Sequence, residues 1–488
     1  MSEIVKFYTN KNIFITGSTG FMGKVLIEKL LRCCPNTGTI YILIRSKKGK
    51  SPEERLQDFF NQPIFENIDL DQSNLKKKFK VIPGDVLEDN LNLTENDFND
   101  LKNNVNIVFH MAANVRFDQD LKTALQMNTG GTKRVLDVIK HFKNIQAFVH
   151  VSTTFCYCER DVLDEELYPA PHHPRAILEL TNLLSAEDLK AITPYLIKNF
   201  PNTYAYTKRL TEHLIKEYSE FLPIVVVRPS IVTAALKEPM PGWVDNLNGP
   251  TGILVGAGKG IIRSMHCNPD YFADLVPVDV SVNRMLIVTK DFVANSVNKE
   301  PEVYNISCDS ENPISWGSAL EMGKKHFYEN PFSICLWYPY GSIKTSYFAH
   351  LLAVFFLHYI PAYFIDFIMP MIGQKPFLVN TQKRISTGLE VLQYYTTRNW
   401  IFKHDKIKKI EQNMNDVDKK LFFSDMSDMN WDEYILLYVL GARKYCMKEG
   451  PETLPKARRL LTRLYYLDLL VKLLISFVVI YCIYSTYF

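Results

Sequence analysis

The pentapeptide Tyr204-Ala205-Tyr206-Thr207-Lys208 places a phenol and a primary amine four residues apart. On a helix those two positions share a face. An ammonium beside a phenol favours the phenolate, so Lys208 is expected to lower the pKa of Tyr204. Such a tyrosine can give a proton to an oxygen that gains negative charge during a reduction. Tyr206 cannot take this role, because four residues after it stands Leu210. The third partner should be a hydroxyl at the end of a sheet strand. Val149-His150-Val151-Ser152-Thr153-Thr154 offers three, with Thr153 the first choice, Ser152 the second and Thr154 the third. Asn128, in Gln126-Met127-Asn128-Thr129-Gly130-Gly131-Thr132, is expected either to brace the lysine, through its carbonyl or a water, or to cap a helix.

A second group of residues suits phosphate binding. An apolar strand runs directly into Thr16-Gly17-Ser18-Thr19-Gly20-Phe21-Met22-Gly23, and a helix follows. Gly17 suits a tight turn, Gly20 lets the backbone approach a pyrophosphate, and Gly23 lets the helix pack closely on the sheet. Amides at the helix start, across Ser18, Thr19 and Phe21, then face the phosphates. The spacing GxxGxxG differs from the GxGxxG of the usual dinucleotide fingerprint. The next strand ends in Ile44-Arg45-Ser46-Lys47-Lys48, with cations where an acid would bind the ribose hydroxyls of NAD. That suits a 2′-phosphate, so the expected cofactor is NADPH, with Arg45 its leading ligand and Lys48 a helper. Asp85, in Gly84-Asp85-Val86, lies in a loop that reaches toward the adenine, and Ala112 and Ala113 are small enough for the backbone to approach the cofactor's middle. Lys208 is then also placed to hold the nicotinamide ribose.

The elements that position these groups alternate. Strands are expected at 12–16, 39–44, 80–83, 107–110, 147–151 and 224–227, with helices at 24–32, 53–60, 121–127 and 131–142 between them. Such alternation means an α/β fold, a Rossmann-type doubly wound parallel sheet covered on both faces. The 488 residues are enough for two to four domains. A net charge of +3 argues against a nucleic-acid binder. The nine cysteines show no metal-ligand spacing and suit a reducing compartment, and no metal site is expected. Residues 1–12 lack the apolar core of a secretory signal.

Later blocks make a resemblance specific. Val115-Arg116-Phe117-Asp118, Arg228-Pro229-Ser230-Ile231-Val232 and Pro241-Gly242-Trp243-Val244-Asp245-Asn246 resemble the alcohol-forming fatty acyl-CoA reductases, within the extended short-chain dehydrogenases/reductases. So do Asn248-Gly249-Pro250, Gly256-Ala257-Gly258-Lys259-Gly260 and Ala273-Asp274-Leu275-Val276-Pro277-Val278-Asp279, in the family's order. Asn430-Trp431 and Gly441-Ala442-Arg443-Lys444-Tyr445 resemble the family's extra helical domain. The resemblance implies NADPH and a long-chain acyl-CoA, reduced by four electrons to a primary alcohol through a hemithioacetal and an aldehyde. Lys259 and Arg263 are candidate contacts for the phosphates of CoA. The Pro-rich stretch 169–174 and the helical residues 178–200 are candidates for a substrate lid. The rivals are another extended reductase, such as a 3β-hydroxysteroid dehydrogenase or a sugar-nucleotide epimerase, and an inactive cofactor-binding scaffold on a lipid surface.

Two apolar stretches complete the reading. Residues 347–373 hold no Lys, Arg or Glu and only His350, His358 and Asp366 as groups that ionise near neutrality. Residues 469–488 carry Lys472 as their one charge. A bilayer core about 30 Å thick needs ~20 apolar helical residues, which the second stretch meets. Arg458, Arg459 and Arg463 precede it and favour a catalytic domain in the cytosol. The first stretch, broken by Pro361, is expected to be re-entrant or interfacial and to form part of an acyl-chain entrance, with a buried core helix as the alternative. The expected division is 1–290 for the cofactor-binding domain, 291–345 for the rest of a substrate lobe, 346–373 for the membrane-associated segment, 374–460 for the helical domain and 467–488 for a transmembrane anchor. Membrane lipid is thus an expected partner, at an endoplasmic-reticulum or peroxisomal membrane.

Overall fold

The structure is a computed structural model that describes all residues except 48, 69–77, 297–299, 309, 310 and 488, with residue 487 described by its backbone alone. The chain forms two compact units that interleave along the sequence. The first comprises 1–240, 274–313 and 400–428, and the second 241–273, 314–399 and 429–488. The consecutive blocks expected from composition do not coincide with them, because each unit is closed by segments that return from far along the chain.

The first unit is built on seven parallel strands, β1 (Ile13–Thr16), β2 (Ile40–Ile44), β3 (Phe79–Pro83), β4 (Ile107–His110), β5 (Ala147–Val151), β6 (Ile224–Pro229) and β7 (Glu302–Ile306). Their order across the sheet is β7-β6-β5-β4-β1-β2-β3. Every residue of β1, β2, β4, β5 and β6 is buried. Strands covered on both faces need apolar side chains on both, so they read as continuous apolar runs. Helices α1 (Phe21–Cys33), α2 (Pro52–Phe60), α3 (Gly131–Ile139), α4 (Thr203–Tyr218) and α5 (Val278–Asn295) belong to this unit. Chain direction across the sheet reverses between β1 and β4, and the crevice at such a switch point is where an open α/β sheet takes its ligand.

Two expected boundaries differ. Residues 121–139 run as one helix through a π turn at Gln126–Gly130, so Gly130-Gly131 does not break it. A Cβ on Gly131 would stand 3.3 Å from a methyl of Val86, and glycine there brings the helix close to the loop after β3. The proposed lid residues form helices Pro174–Leu183 and Ala186–Leu196. Ile177, Leu189 and Leu196 pack with Leu121, Leu125, Tyr206 and Leu210 into a separate small core.

The second unit is largely helical. Its elements include α6 (Trp316–Glu329), α7 (Tyr347–Val354), α8 (Ile360–Ile368), α9 (Leu378–Thr396), α10 (Trp431–Gly441) and α11 (Leu454–Tyr487). The Pro-Gly-Trp block packs here. A side chain on Gly242, at φ +76°, would strike the carbonyl of Leu437, and one on Gly441 would strike that of Gly242. Only glycines let α10 and that loop approach so closely.

Candidate active site

Gly17 turns β1 into α1 with φ +75°, and a Cβ on it would lie 2.7 Å from the backbone nitrogen of Ala112 and the carbonyl carbon of Met111. Ala112 therefore walls the turn with its backbone. A Cβ on Gly23 would stand 2.5 Å from the carbonyl oxygen of Gly17, so the helix start also requires glycine. Gly20 is the N-cap of α1, and no side chain caps it. Thr19 and Phe21 are partly exposed beside it. The Ser18 hydroxyl is buried without a protein partner. A helix start that no side chain caps, an orphaned hydroxyl and a glycine cradle fit a pyrophosphate. The residues present thus fit a nicotinamide dinucleotide.

Arg45 lies just after β2, half-exposed, and donates to the Asp85 carboxylate at 3.0 Å. Asp85 also accepts from the amide of Leu87 at 3.1 Å, so its carboxylate is held beside Arg45. Sequence reasoning missed Arg55 on α2, which donates to the carbonyl of Arg45 at 2.5 Å. Burial and the neighbouring Arg45 charge both push Arg55 down. Its place four residues past the helix-capping Ser51, one turn into α2, is the signal that marks it. Lys48 lies outside the described residues.

Tyr204 and Lys208 occupy the first turns of α4, whose start is fixed by the Asn202 side chain accepting from the amide of Ala205 at 2.9 Å. The Thr153 hydroxyl lies beside the Tyr204 phenol, close enough to act on its ionisation. The Phe117 ring stands 5.7 Å from the Tyr204 ring. Burial raises the Tyr204 pKa, Cys156 adds to the rise, and the nearby Thr153 hydroxyl offsets only part of it. The expected lowering by Lys208 is therefore corrected. The Lys208 ammonium donates to the Val151 carbonyl at 2.7 Å. Burial brings its own pKa down to about 8, against support from Cys156 and Glu212.

The other strand-end hydroxyls point elsewhere. The Ser152 hydroxyl lies 3.8 Å from the Cys156 sulfur, on the side of Glu212, whose carboxylate it helps to keep ionised. The Thr154 hydroxyl is buried without a partner. Asn128 does not reach Lys208. Its carbonyl accepts from the amide of Asn114 at 2.8 Å, and its amide donates to the Asn114 carbonyl at 3.1 Å and the Thr207 hydroxyl at 2.9 Å. It braces the loop after β4 and the residue before the lysine.

Behind these groups lies a buried network that sequence reasoning missed. Glu212, four residues past Lys208, takes two hydrogen bonds from the Arg228 guanidinium at 2.6 and 2.9 Å, with both side chains fully buried. Tyr157 donates to the same carboxylate at 2.6 Å and Cys156 at 3.4 Å. Burial pushes the Glu212 carboxyl up, but Arg228 and the hydroxyls of Ser152 and Tyr157 more than reverse this, leaving it below its usual value. On the sheet side, His110 is hydrogen-bonded to Thr16 at 2.7 Å and Thr132 at 2.9 Å. Burial and then Lys208 lower His110 to about 3. Burial, Lys208 and His110 lower His150 as well. Two neutral imidazoles thus floor the site.

In the second unit, Arg263 is buried and donates to the carbonyl of Leu357 and, at 3.4 Å, to the Tyr340 hydroxyl. Its side chain is not free to take a CoA phosphate. Lys259 extends over the Phe332 ring at 5.9 Å.

The fold and the site define an NAD(P)-dependent oxidoreductase with a Rossmann sheet of the short-chain dehydrogenase/reductase type. A sequence family described as male sterility protein, NAD-binding, matches residues 15–285, and a second described as male sterility protein matches 357–449. Fatty acyl-CoA reductase 1 of Rattus norvegicus is 36% identical over 469 residues, covering 95% of this chain and 90% of that protein. The putative fatty acyl-CoA reductase CG8306 of Drosophila melanogaster is 36% identical over 466 residues, covering 94% and 90%. The chain belongs to the fatty acyl-CoA reductase family. Among solved structures, the terminal R domain of the myxalamid PKS-NRPS pathway superposes with a TM-score of 0.58 at 16% identity, covering 91% of this chain and 92% of that one. The reductase domain of a non-ribosomal peptide synthetase from Mycobacterium tuberculosis gives 0.57 at 14%, covering 90% and 95%. At such identities the likeness is one of fold.

Proposed function

We propose that the protein reduces a long-chain acyl-CoA to the primary alcohol, consuming two NADPH and two protons and releasing free CoA. The observation that carries this reading is the Tyr204 phenol beside the Thr153 hydroxyl, with Lys208 anchored at the same strand end, in a chain of this family. The dinucleotide, when bound, supplies a hydride in each of two rounds. Tyr204, kept protonated at neutral pH by burial, gives its proton to the substrate oxygen as negative charge forms there. Thr153 holds the phenol and the same oxygen in line. Lys208, anchored on the Val151 carbonyl, holds the nicotinamide ribose. In the first round the thioester carbonyl becomes a hemithioacetal. Its C–S bond then breaks, CoA leaves as the thiol, and the C–O bond becomes the aldehyde carbonyl. The second round converts that aldehyde to the alcohol.

Arg45 and Arg55 support NADPH over NADH, because two guanidiniums suit a 2′-phosphate and no carboxylate replaces them after β2. The exposed apolar part of α11 supports a membrane span, with only 6% of its most apolar stretch buried. Exposed Arg458, Arg459 and Arg463 before that part support a cytosolic catalytic unit. The test is gas chromatography of alcohols made by membranes that carry the chain and are fed acyl-CoAs of several lengths. Long-chain alcohols dependent on NADPH are expected. Their absence, with turnover of a 3β-hydroxysteroid instead, overturns the reading.

A further inference from the structure

The apolar segment Tyr347–Ile372 is helical from end to end, through α7, a π turn at Phe355–Tyr359, α8 and a last turn at Met369–Ile372. Only 11% of its most apolar stretch is buried in the protein. The exposed side includes Phe348, Phe355, Phe356, Phe364, Phe367 and Met371. Its two histidines and its one carboxylate all face the body of the second unit. His350 is hydrogen-bonded to the Ser264 hydroxyl at 2.9 Å. His358 accepts from the amide of Arg263 at 2.9 Å, and the Arg263 guanidinium donates to the carbonyl of Leu357. Asp366 accepts from the amides of Phe377, Leu378 and Val379 at 2.9, 2.9 and 2.8 Å, at the start of α9. The segment is thus pinned near its beginning, its middle and its end.

Those pins decide how such a segment meets lipid. Helix α8 packs along α9, and α9 exposes Lys383, Arg384 and Glu390. A segment crossing the bilayer would carry these charges and its own pins into the hydrocarbon, where unsolvated charge is strongly disfavoured. A segment lying flat meets lipid with its aromatic and aliphatic side alone.

The root of α11 marks the same level. Asp468 accepts from the Trp337 indole at 2.6 Å, and Lys472 lies 4.1 Å over the Tyr340 ring. Tyr340 and Trp337 in turn contact Arg263, the residue that pins Leu357 and His358. Tyr338 stacks edge-on against Tyr465 at 5.3 Å. Trp and Tyr gather where a helix enters a membrane. Beyond Lys472, Leu473, Ile475, Phe477 and Ile480 are exposed. Basic Lys456, Arg458, Arg459 and Arg463 are exposed on the turns before, complementary to anionic headgroups.

We propose that residues 347–372 lie in the plane of a single bilayer leaflet, as a second lipid contact beside the root of α11. This rests on the membrane reading above. The experiment uses the full chain in vesicles of phosphatidylcholine with one-fifth phosphatidylserine. Phe348→Trp, Phe356→Trp and Phe367→Trp are made singly, and the added fluorescence is quenched by lipids brominated at shallow or deep acyl positions. Flotation with the vesicles tests the membrane reading by itself. If the chain floats, the proposal expects all three tryptophans at one shallow depth, roughly 5–10 Å below the headgroups. A deep Trp at 356 between shallow ones at 348 and 367 shows a spanning helix and overturns it. No quenching at any of the three, with crosslinked dimers in their place, shows that a second copy covers the face and also overturns it.

Discussion

The ammonium of Lys208 stands 2.7 Å from the carbonyl oxygen of Val151, two residues before Thr153. This contact ties the second turn of α4 to the end of β5. It sets the Tyr204–Thr153 pair between a helix start and a strand end, where neither element alone would hold it.

The same contact gives a pH dependence. A surface lysine stays charged to about 10.4, but burial brings Lys208 down to about 8. Its charged form is therefore full below about 8 and lost as pH rises through it. Cys156 is pushed up by burial and by Glu212 and is a neutral thiol at neutral pH, so Glu212 is the anion that supports the ammonium there. A basic limb near pH 8 is expected in kcat/KM. Glu212→Gln is expected to move that limb about one unit toward acid, since a nearby opposite charge is lost and Arg228 remains. A limb that stays in place while activity drops uniformly would show a purely structural role.

The strand-end hydroxyls separate by substitution. Tyr204→Phe is expected to lower alcohol formation at least ~100-fold with cofactor binding kept. Thr153→Val, which leaves the phenol but unties it, is expected to cost about tenfold in kcat. Ser152→Ala is expected to stay within about threefold, because its hydroxyl faces Glu212 and Cys156. Steady-state rates on one acyl-CoA check all three, and a larger loss for Ser152 than for Thr153 reverses the assignment.

Cofactor choice is expected to follow the two arginines. Arg45→Asp should erase or reverse the preference for NADPH, and Arg55→Ala should weaken NADPH about tenfold while leaving NADH nearly unchanged. Comparing kcat/KM for the two dinucleotides checks this. Equal values in the parent enzyme count against a 2′-phosphate site.

Gly17 is the most sensitive position of the phosphate turn. An alanine there must adopt φ +75° and place its Cβ 2.7 Å from the Ala112 nitrogen. The left-handed conformation alone costs about 1–2 kcal/mol. Gly17→Ala is expected to lower the thermal midpoint and abolish dinucleotide binding, as read by calorimetry and fluorescence titration. Unchanged binding would place the cofactor elsewhere.

Local signals made much of the first unit legible. Buried parallel strands read as apolar runs, and the helix starting at Phe21 follows glycines whose spacing matches its turn. Tyr204 and Lys208 share a face because helical spacing puts them there. What was not legible depends on pairs far apart in sequence. The surroundings of Ser152, set by Cys156 and by Glu212 of α4, cannot be read from its place at a strand end. The high phenol pKa of Tyr204 follows from burial, with Cys156 adding to it, neither of which is a local property. Arg263 carries a basic label in a glycine-rich turn, but His358 and Leu357, almost a hundred residues later, bury it. The interleaved units have the same origin, since contacts made by returning segments leave no mark on composition.

Four-electron reduction by one site fixes a stoichiometry of cofactor, thiol and alcohol. The most direct measurement is the ratio of dinucleotide oxidised to alcohol formed when the purified full chain turns over a long-chain acyl-CoA, with free CoA counted by thiol titration. Two NADPH consumed and one CoA released per alcohol are expected, with all three lost together in Tyr204→Phe. One NADPH per CoA with aldehyde as the final product, or alcohol formation undiminished in Tyr204→Phe, would contradict it.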